Sequence, residues 1–172
     1  KVFVISGGPG VGKTSLINEL SKRGYDVLNE AARYVDENDN RFKGKSILEI
    51  NKRDFQEAIF ELQKKQLSGL IKGQTVFKDR GFGDTLAYYN IAGLKIPIDK
   101  LEYAKIFRYS KIFILDLLNE FEQDGLRKES KEEQEKIHNK IMEMYENLGY
   151  KPVFIPAMSL EERADFVLKK IS

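Results

Sequence analysis

The chain of 172 residues has no cysteine and no tryptophan, one histidine and four prolines. Without cysteine there is no disulfide and no thiolate metal centre, and His138 alone leaves little for an imidazole-rich zinc site or a His-based triad. A hard, oxygen-bound cation such as Mg²⁺ is untouched by these absences. An excess of one charge is also missing, since 29 basic and 27 acidic residues leave a formal net charge of +2. That balance predicts a mixed surface without a nucleic-acid-sized basic field. No apolar run approaches the ~20 residues needed to span a bilayer, and the N-terminus carries no signal-peptide pattern. A cytoplasmic protein is expected, with no nucleic-acid partner and no transmembrane segment; its oligomeric state is not written in the composition. With 41% hydrophobic residues, the length suits one buried core, so residues 1–172 are expected to form a single domain.

What is present is an alternation. Short apolar runs occur at 2–6 (VFVIS), 25–29 (YDVLN), 75–79 (TVFKD), 111–118 (KIFILDLL) and 151–156 (KPVFIP). Between them lie patterns of 3.6-residue period near 13–22, 47–72, 83–92, 98–107, 130–148 and 159–171. Strand then helix, repeated, predicts an α/β fold with a five-stranded parallel sheet covered on both faces. Residues 34–46 and 119–130 are polar and aperiodic, and read as exposed loops.

The first strand runs into GGPGVGKTS, residues 7–15, which matches GxxxxGK[ST], the P-loop or Walker A pattern. Glycines let successive amides turn inward as a nest for phosphate oxygens, and the following helix N-terminus adds its dipole. Gly8, Pro9, Gly10, Val11, Gly12, Lys13, Thr14 and Ser15 are therefore the candidate contacts to a nucleoside triphosphate. Lys13 reaches toward the β- and γ-phosphates and the Thr14 hydroxyl toward Mg²⁺. The pattern specifies nucleotide binding and not the reaction, because motors, switches and kinases share it.

In such a sheet, ligands gather beyond the carboxyl ends of the strands. The second strand ends at Asn29 and Glu30, the third at Asp79 and Arg80, and the fourth carries Asp116 near its end. Asp79 is placed to support the Mg²⁺ shell, or else to cap the next helix. Arg80 is placed to grip an acceptor oxygen, or else to pair with Asp79 or Glu30. Glu30 is a candidate base toward an acceptor hydroxyl, or else a helix-N-terminal charge. Phe82, Leu86 and Tyr89 share a helix face and read as core, leaving Tyr88 to face the acceptor. Asn51–Asp54 (NKRD) imitates a guanine-reading motif, but precedes Asp79 and lies within a helical pattern, so it reads as a chance match. His138 is expected on an exposed helix.

The blocks GGPGVGKTSL, GYDVLNEAAR (24–33), VFKDRGFGDTLAYY (76–89), DGLRKE (124–129) and LGYKPVFIPAMSLEERADFVL (148–168) together resemble the NadR-like P-loop ATPase domains, which include ribosylnicotinamide kinase domains. The resemblance spans nearly the whole chain and concerns the kinase part alone. It implies a three-layer nucleoside-kinase-type sandwich with strand order 2-3-1-4-5 and a helical lid near 119–131. It also implies ATP as donor, with GTP left open, a lid arginine at Arg127, and Arg33 as a further acceptor-side residue. Together these readings predict a Mg²⁺-dependent phosphotransferase acting on a small hydroxyl- or phosphate-bearing acceptor, with a nucleoside as the leading candidate. The competing reading is a nucleotide-dependent switch without a small-molecule acceptor, whose loops 34–46 and 119–130 order around the γ-phosphate.

Overall fold

The structure, a computed structural model, describes residues 1–117 and 131–171. In chain order the elements are β1 (Val2–Ser6), α1 (Lys13–Lys22), β2 (Asp26–Leu28), α2 (Ala31–Asn38), α3 (Lys52–Ser68), β3 (Val76–Asp79), α4 (Phe82–Ile91), α5 (Ile98–Ile106), β4 (Lys111–Leu115), α6 (Lys131–Asn147), β5 (Val153–Ile155) and α7 (Leu160–Ile171). The five strands form one parallel sheet of order β2-β3-β1-β4-β5, as the resemblance implied. Chain direction across the sheet reverses at β1, so the loop leaving β1 lies at the topological switch point.

Two-residue alternation divides β1 between the two faces. Phe3 and Ile5 pack with Leu16, Ile17, Leu20, Ala164 and Val167 of α1 and α7. Val4 points the other way, into a core with Phe60 of α3, Phe82 and Leu86 of α4, and Ile141 and Tyr145 of α6. The register sets Ile5 beside Asp79 and Ser6 beside Ile114. The ends of β3 and β4 therefore reach the edge at which the β1 loop begins.

Close approach between α4 and α6 depends on Gly83. A Cβ there would lie 2.5 Å from Cε1 of the Tyr145 ring, inside any tolerable contact, so only glycine lets that ring slide under the start of α4.

Three local expectations need correction. Residues 34–46 are not all loop: Ala31–Asn38 is helical, with Ala31 and Val35 buried. Phe42 beyond it is 1% exposed and meets Phe55 edge-on at 5.1 Å, an anchor for a segment that looked polar throughout. The long helix predicted over 47–72 starts only at Lys52, because the Asn51 side chain accepts the Arg53 and Asp54 amides as an N-cap. The NKRD stretch thus has a capping role. Finally, His138 is buried; it shares one face of α6 with Ile141 and Tyr145. The lid region and Arg127 lie outside the described residues, except Lys131, which opens α6.

Candidate active site

The loop from Gly7 to Gly12 joins the end of β1 to α1. Gly12 is the N-cap of α1 at φ 91°, a left-handed conformation that a side chain resists. Lys13 opens the helix almost wholly buried, and its Nζ donates to the Gly8 carbonyl at 2.7 Å. Burial, and then the charge of Arg80, pull the Lys13 ammonium down from the ordinary lysine value; Asp79, Asp84 and Glu30 partly offset this. The Gly8 amide donates to Nδ1 of His138 at 3.3 Å, so the residue is held through both its N–H and its carbonyl. Burial lowers the His138 pKa, which keeps Nδ1 free to accept. On the far side, Arg163 of α7 donates from Nη1 to the Val11 carbonyl at 3.0 Å, while its Nε is buried without a partner among the described residues. Thr14 and Ser15 are exposed at the start of α1.

Asp79, at the end of β3, is 2% exposed, and its Oδ1 has no hydrogen-bond partner among the described residues. Burial, followed by the charge of Glu30, raises its carboxyl above the usual carboxylate range, against Lys13 and Arg80. A buried oxygen without a donor, beside a P-loop whose Thr14 hydroxyl is exposed, is chemically suited to Mg²⁺, which takes one or two protein oxygens and completes its shell with phosphates and water. No cluster of three or more metal-ligating side chains occurs among the described residues, so a cation here would depend on nucleotide oxygens.

Arg80 is the only described non-glycine residue with positive φ, at 61°. Such a conformation costs on the order of 1 kcal/mol and is held by several bonds. Its amide donates to the Ile5 carbonyl at 3.0 Å, Nε to Glu30 at 2.9 Å, and Nη1 to Asp84 Oδ1 at 3.0 Å. Glu30 is the N-cap residue of α2 but makes no capping hydrogen bond with its side chain. The pairing expected as the alternative role of Arg80 is therefore present, and Glu30 stands at the N-terminus of α2, where its charge also meets the helix dipole.

Asp84, unnoticed in the sequence, is the hub. It is 1% exposed. Oδ1 accepts Ser6 Oγ at 2.7 Å and Arg80; Oδ2 accepts the Gly81 amide at 2.9 Å and the Tyr145 hydroxyl at 2.6 Å. One carboxylate thus ties the end of β1, the turn after β3, α4 and α6. Its signal was an acid in the first turn of an otherwise apolar helix, FGDTLAYY.

Beside Arg80 lies a cavity of about 210 Å³ between α2, α3 and α4, whose lining includes Glu30, Gln56, Arg80, Asp84 and Tyr88. The Arg80 guanidinium carbon sits 5.4 Å from the Tyr88 ring centroid. Phe82, Leu86 and Tyr89 are core, as their spacing predicted. Arg33 is exposed on α2 and does not line the cavity. Asp116, just past β4, donates its amide to the Ile155 carbonyl.

A family model described as AAA domain matches residues 2–163. The chain belongs to that family. No curated protein matches the sequence. Among solved structures, this AAA domain chain is similar to NadR in complex with NR, with TM-score 0.70 and 19% identity, over 99% of this chain and 50% of that one. It therefore spans about half the length of NadR. It is also similar to deoxyadenosine kinase from M. mycoides with bound dATP (TM-score 0.68, 16% identity, 99% of each chain). A third likeness is to thymidylate kinase from Ehrlichia chaffeensis (0.64, 12%, 99% and 98%). At these identities the shared property is the fold, and the resemblance read from the EAAR, DRG and LGY blocks is borne out as family and architecture.

Proposed function

We propose that this chain is a Mg²⁺-dependent phosphotransferase that moves the γ-phosphoryl of ATP to a hydroxyl of a small, nucleoside-like acceptor, in the manner of a ribosylnicotinamide kinase domain. The observation that carries this reading is the cavity lined by Glu30 and Arg80 on the sheet edge where the P-loop begins. A hydrolase or switch needs no second walled pocket there. The similar structures add support: NadR holds NR in one and NAD with AMP-PNP in another, and the M. mycoides enzyme holds dATP.

In this reading the loop amides of Gly10, Val11 and Gly12 and the Lys13 ammonium bind and orient the donor polyphosphate. Thr14 and Asp79 would hold Mg²⁺, which when bound neutralises charge on the β- and γ-phosphates. Glu30 accepts the proton of the acceptor hydroxyl as its oxygen bonds to the γ-phosphorus and the bond to the ADP leaving group breaks. Arg80 fixes Glu30 and faces the transferring group. Arg127 remains the candidate lid arginine, and Arg33, exposed at the start of α2, reaches the site only if α2 or its neighbours move on closing.

The competing switch reading draws on Ile47 and Leu48, which are 60% and 88% exposed near the cavity mouth and offer a partner an apolar foothold. A screen with γ-labelled ATP, Mg²⁺ and a nucleoside panel separates the two. The kinase reading expects label on an acceptor; label appearing only as inorganic phosphate with every acceptor would leave the switch.

A further inference from the structure

One buried ionisable group has no part in the chemistry above. Lys78, in β3, is 0% exposed. The register sets it between Val4 of β1 and Leu28 of β2, on the sheet face that packs against Phe60 and Phe82. Its hydrogen-bond partner among the described residues is Oε1 of Gln66 on α3. Burying a lysine there costs more than an apolar side chain of the same size would, so the pair is a poor device for stability alone.

What the pair does is fix an amide. A lysine ammonium only donates, so the Gln66 atom facing it must be the carbonyl oxygen, and Nε2 is thereby turned away from Lys78. That Nε2 donates to the Asn29 carbonyl at 3.3 Å. Asn29 lies one residue past the last paired position of β2, a three-residue strand at the edge of the sheet, and immediately precedes Glu30. One turn earlier on α3, Gln63 holds the neighbouring strand end in the same manner: Nε2 donates to the Gly81 carbonyl at 3.2 Å, and Oε1 accepts the Thr85 hydroxyl at 2.9 Å. Gly81 immediately follows Arg80. The two tethered turns then close on each other through the 2.9 Å bond from Arg80 Nε to Glu30.

Neither Lys78 nor Gln66 lines the cavity, so whatever they contribute passes through the Asn29 peptide. We infer that Gln66, oriented by Lys78, is a positioning residue that sets where the Glu30 backbone stands and hence where its carboxylate meets the acceptor hydroxyl. A catalytic group displaced by about 1 Å can cost ~10²-fold in rate, and an unpaired residue beyond a short edge strand has little else to hold it. The inference rests on the phosphotransferase reading above, in which Glu30 is the base.

Two variants of opposite electrostatic character test this. Gln66→Glu keeps an acceptor for Lys78 but cannot donate to Asn29. Lys78→Met combined with Gln66→Met replaces both partners by apolar groups of similar shape, a change tolerated far better than stranding one of them. Transfer from γ-labelled ATP across a nucleoside panel gives kcat and the KM for ATP. In ligand-free protein, the ¹⁵N-detected Nε–H resonance of Arg80, assigned by its loss in Arg80→Lys, reports the pairing with Glu30. Both variants should show kcat lowered ~10-fold, a KM for ATP within twofold of wild type and a displaced Arg80 resonance, and Gln66→Glu should melt no lower than wild type. Wild-type kcat in either variant, a KM for ATP that rises as kcat falls, an unmoved Arg80 resonance, or a lowered melting temperature of Gln66→Glu overturns the inference. If wild type labels no acceptor while the Arg80 resonance is displaced in both variants, the tether from Gln66 to the Glu30 turn stands and the phosphotransferase reading falls.

Discussion

The two halves of the site are made of different material. The half proposed to hold the donor is main chain: loop amides, a helix N-terminus and one lysine. Its braces, His138 and Arg163, grip loop peptides and leave the pocket interior to the backbone. The half proposed to hold the acceptor is side chain: Glu30, Arg80 and Asp84 in a bonded row, with Gln56 also in the lining of the cavity. A backbone cradle recognises what all triphosphates share and survives wide sequence change, which fits the common fold with NadR and two kinases at 12–19% identity. A side-chain cavity is where one acceptor is told from another, and is the half to perturb when specificity is sought.

The sharpest break between the halves is Lys13→Ala. Turnover should fall ~10²–10³-fold, with nucleotide-induced thermal stabilisation lost, while nucleoside binding in the cavity persists. Equal loss of both ligands would show that the halves are not separable. A smaller effect, acting on both halves at once, is expected of Asp84→Ala. Removing a fully buried carboxylate strands Arg80, Ser6, Tyr145 and the Gly81 amide, and urea unfolding should record about 3 kcal/mol of destabilisation. Unchanged stability would remove Asp84 as the joint.

Smallest and opposite in sign is Asp79→Asn. The Asp79 carboxyl titrates at about 6 against an ordinary 3.8, so the folded protein holds its proton more firmly than the unfolded chain does. Wild type is therefore penalised above pH 6 and relieved as pH falls toward 4. Without ligands, Asp79→Asn should be more stable than wild type near pH 8, the gap closing by pH 4, while Mg²⁺ ceases to strengthen nucleotide binding. A gap independent of pH would mean that the carboxyl is not buried as charge.

Sequence reasoning reached the donor half because that half is local. A strand, a glycine loop and a helix start within fourteen residues carry their own spacing, and strand-end residues Glu30, Asp79 and Arg80 follow from the parallel sheet. The joints were not legible for the same physical reason reversed. Ser6 meets Asp84 across 78 positions, Gly8 meets His138 across 130, and Val11 meets Arg163 across 152. Such pairs leave no periodicity. His138 was nonetheless readable from its place on one helical stripe with Ile141 and Tyr145, which favoured burial over exposure. Gln56 gave no signal, since a glutamine on a mixed helix looks the same whether it faces water or a cavity.

The claim that joins the halves is that Glu30 takes a proton from an acceptor bound beside the donor loop. Single-turnover transfer of labelled γ-phosphoryl, in wild type and Glu30→Gln, tests it most directly, because glutamine can still accept a hydrogen bond from Arg80 but cannot hold the proton. The account predicts label on a nucleoside in wild type and a ~10²-fold slower transfer in Glu30→Gln with nucleotide affinity retained. An unchanged rate in the variant would contradict it.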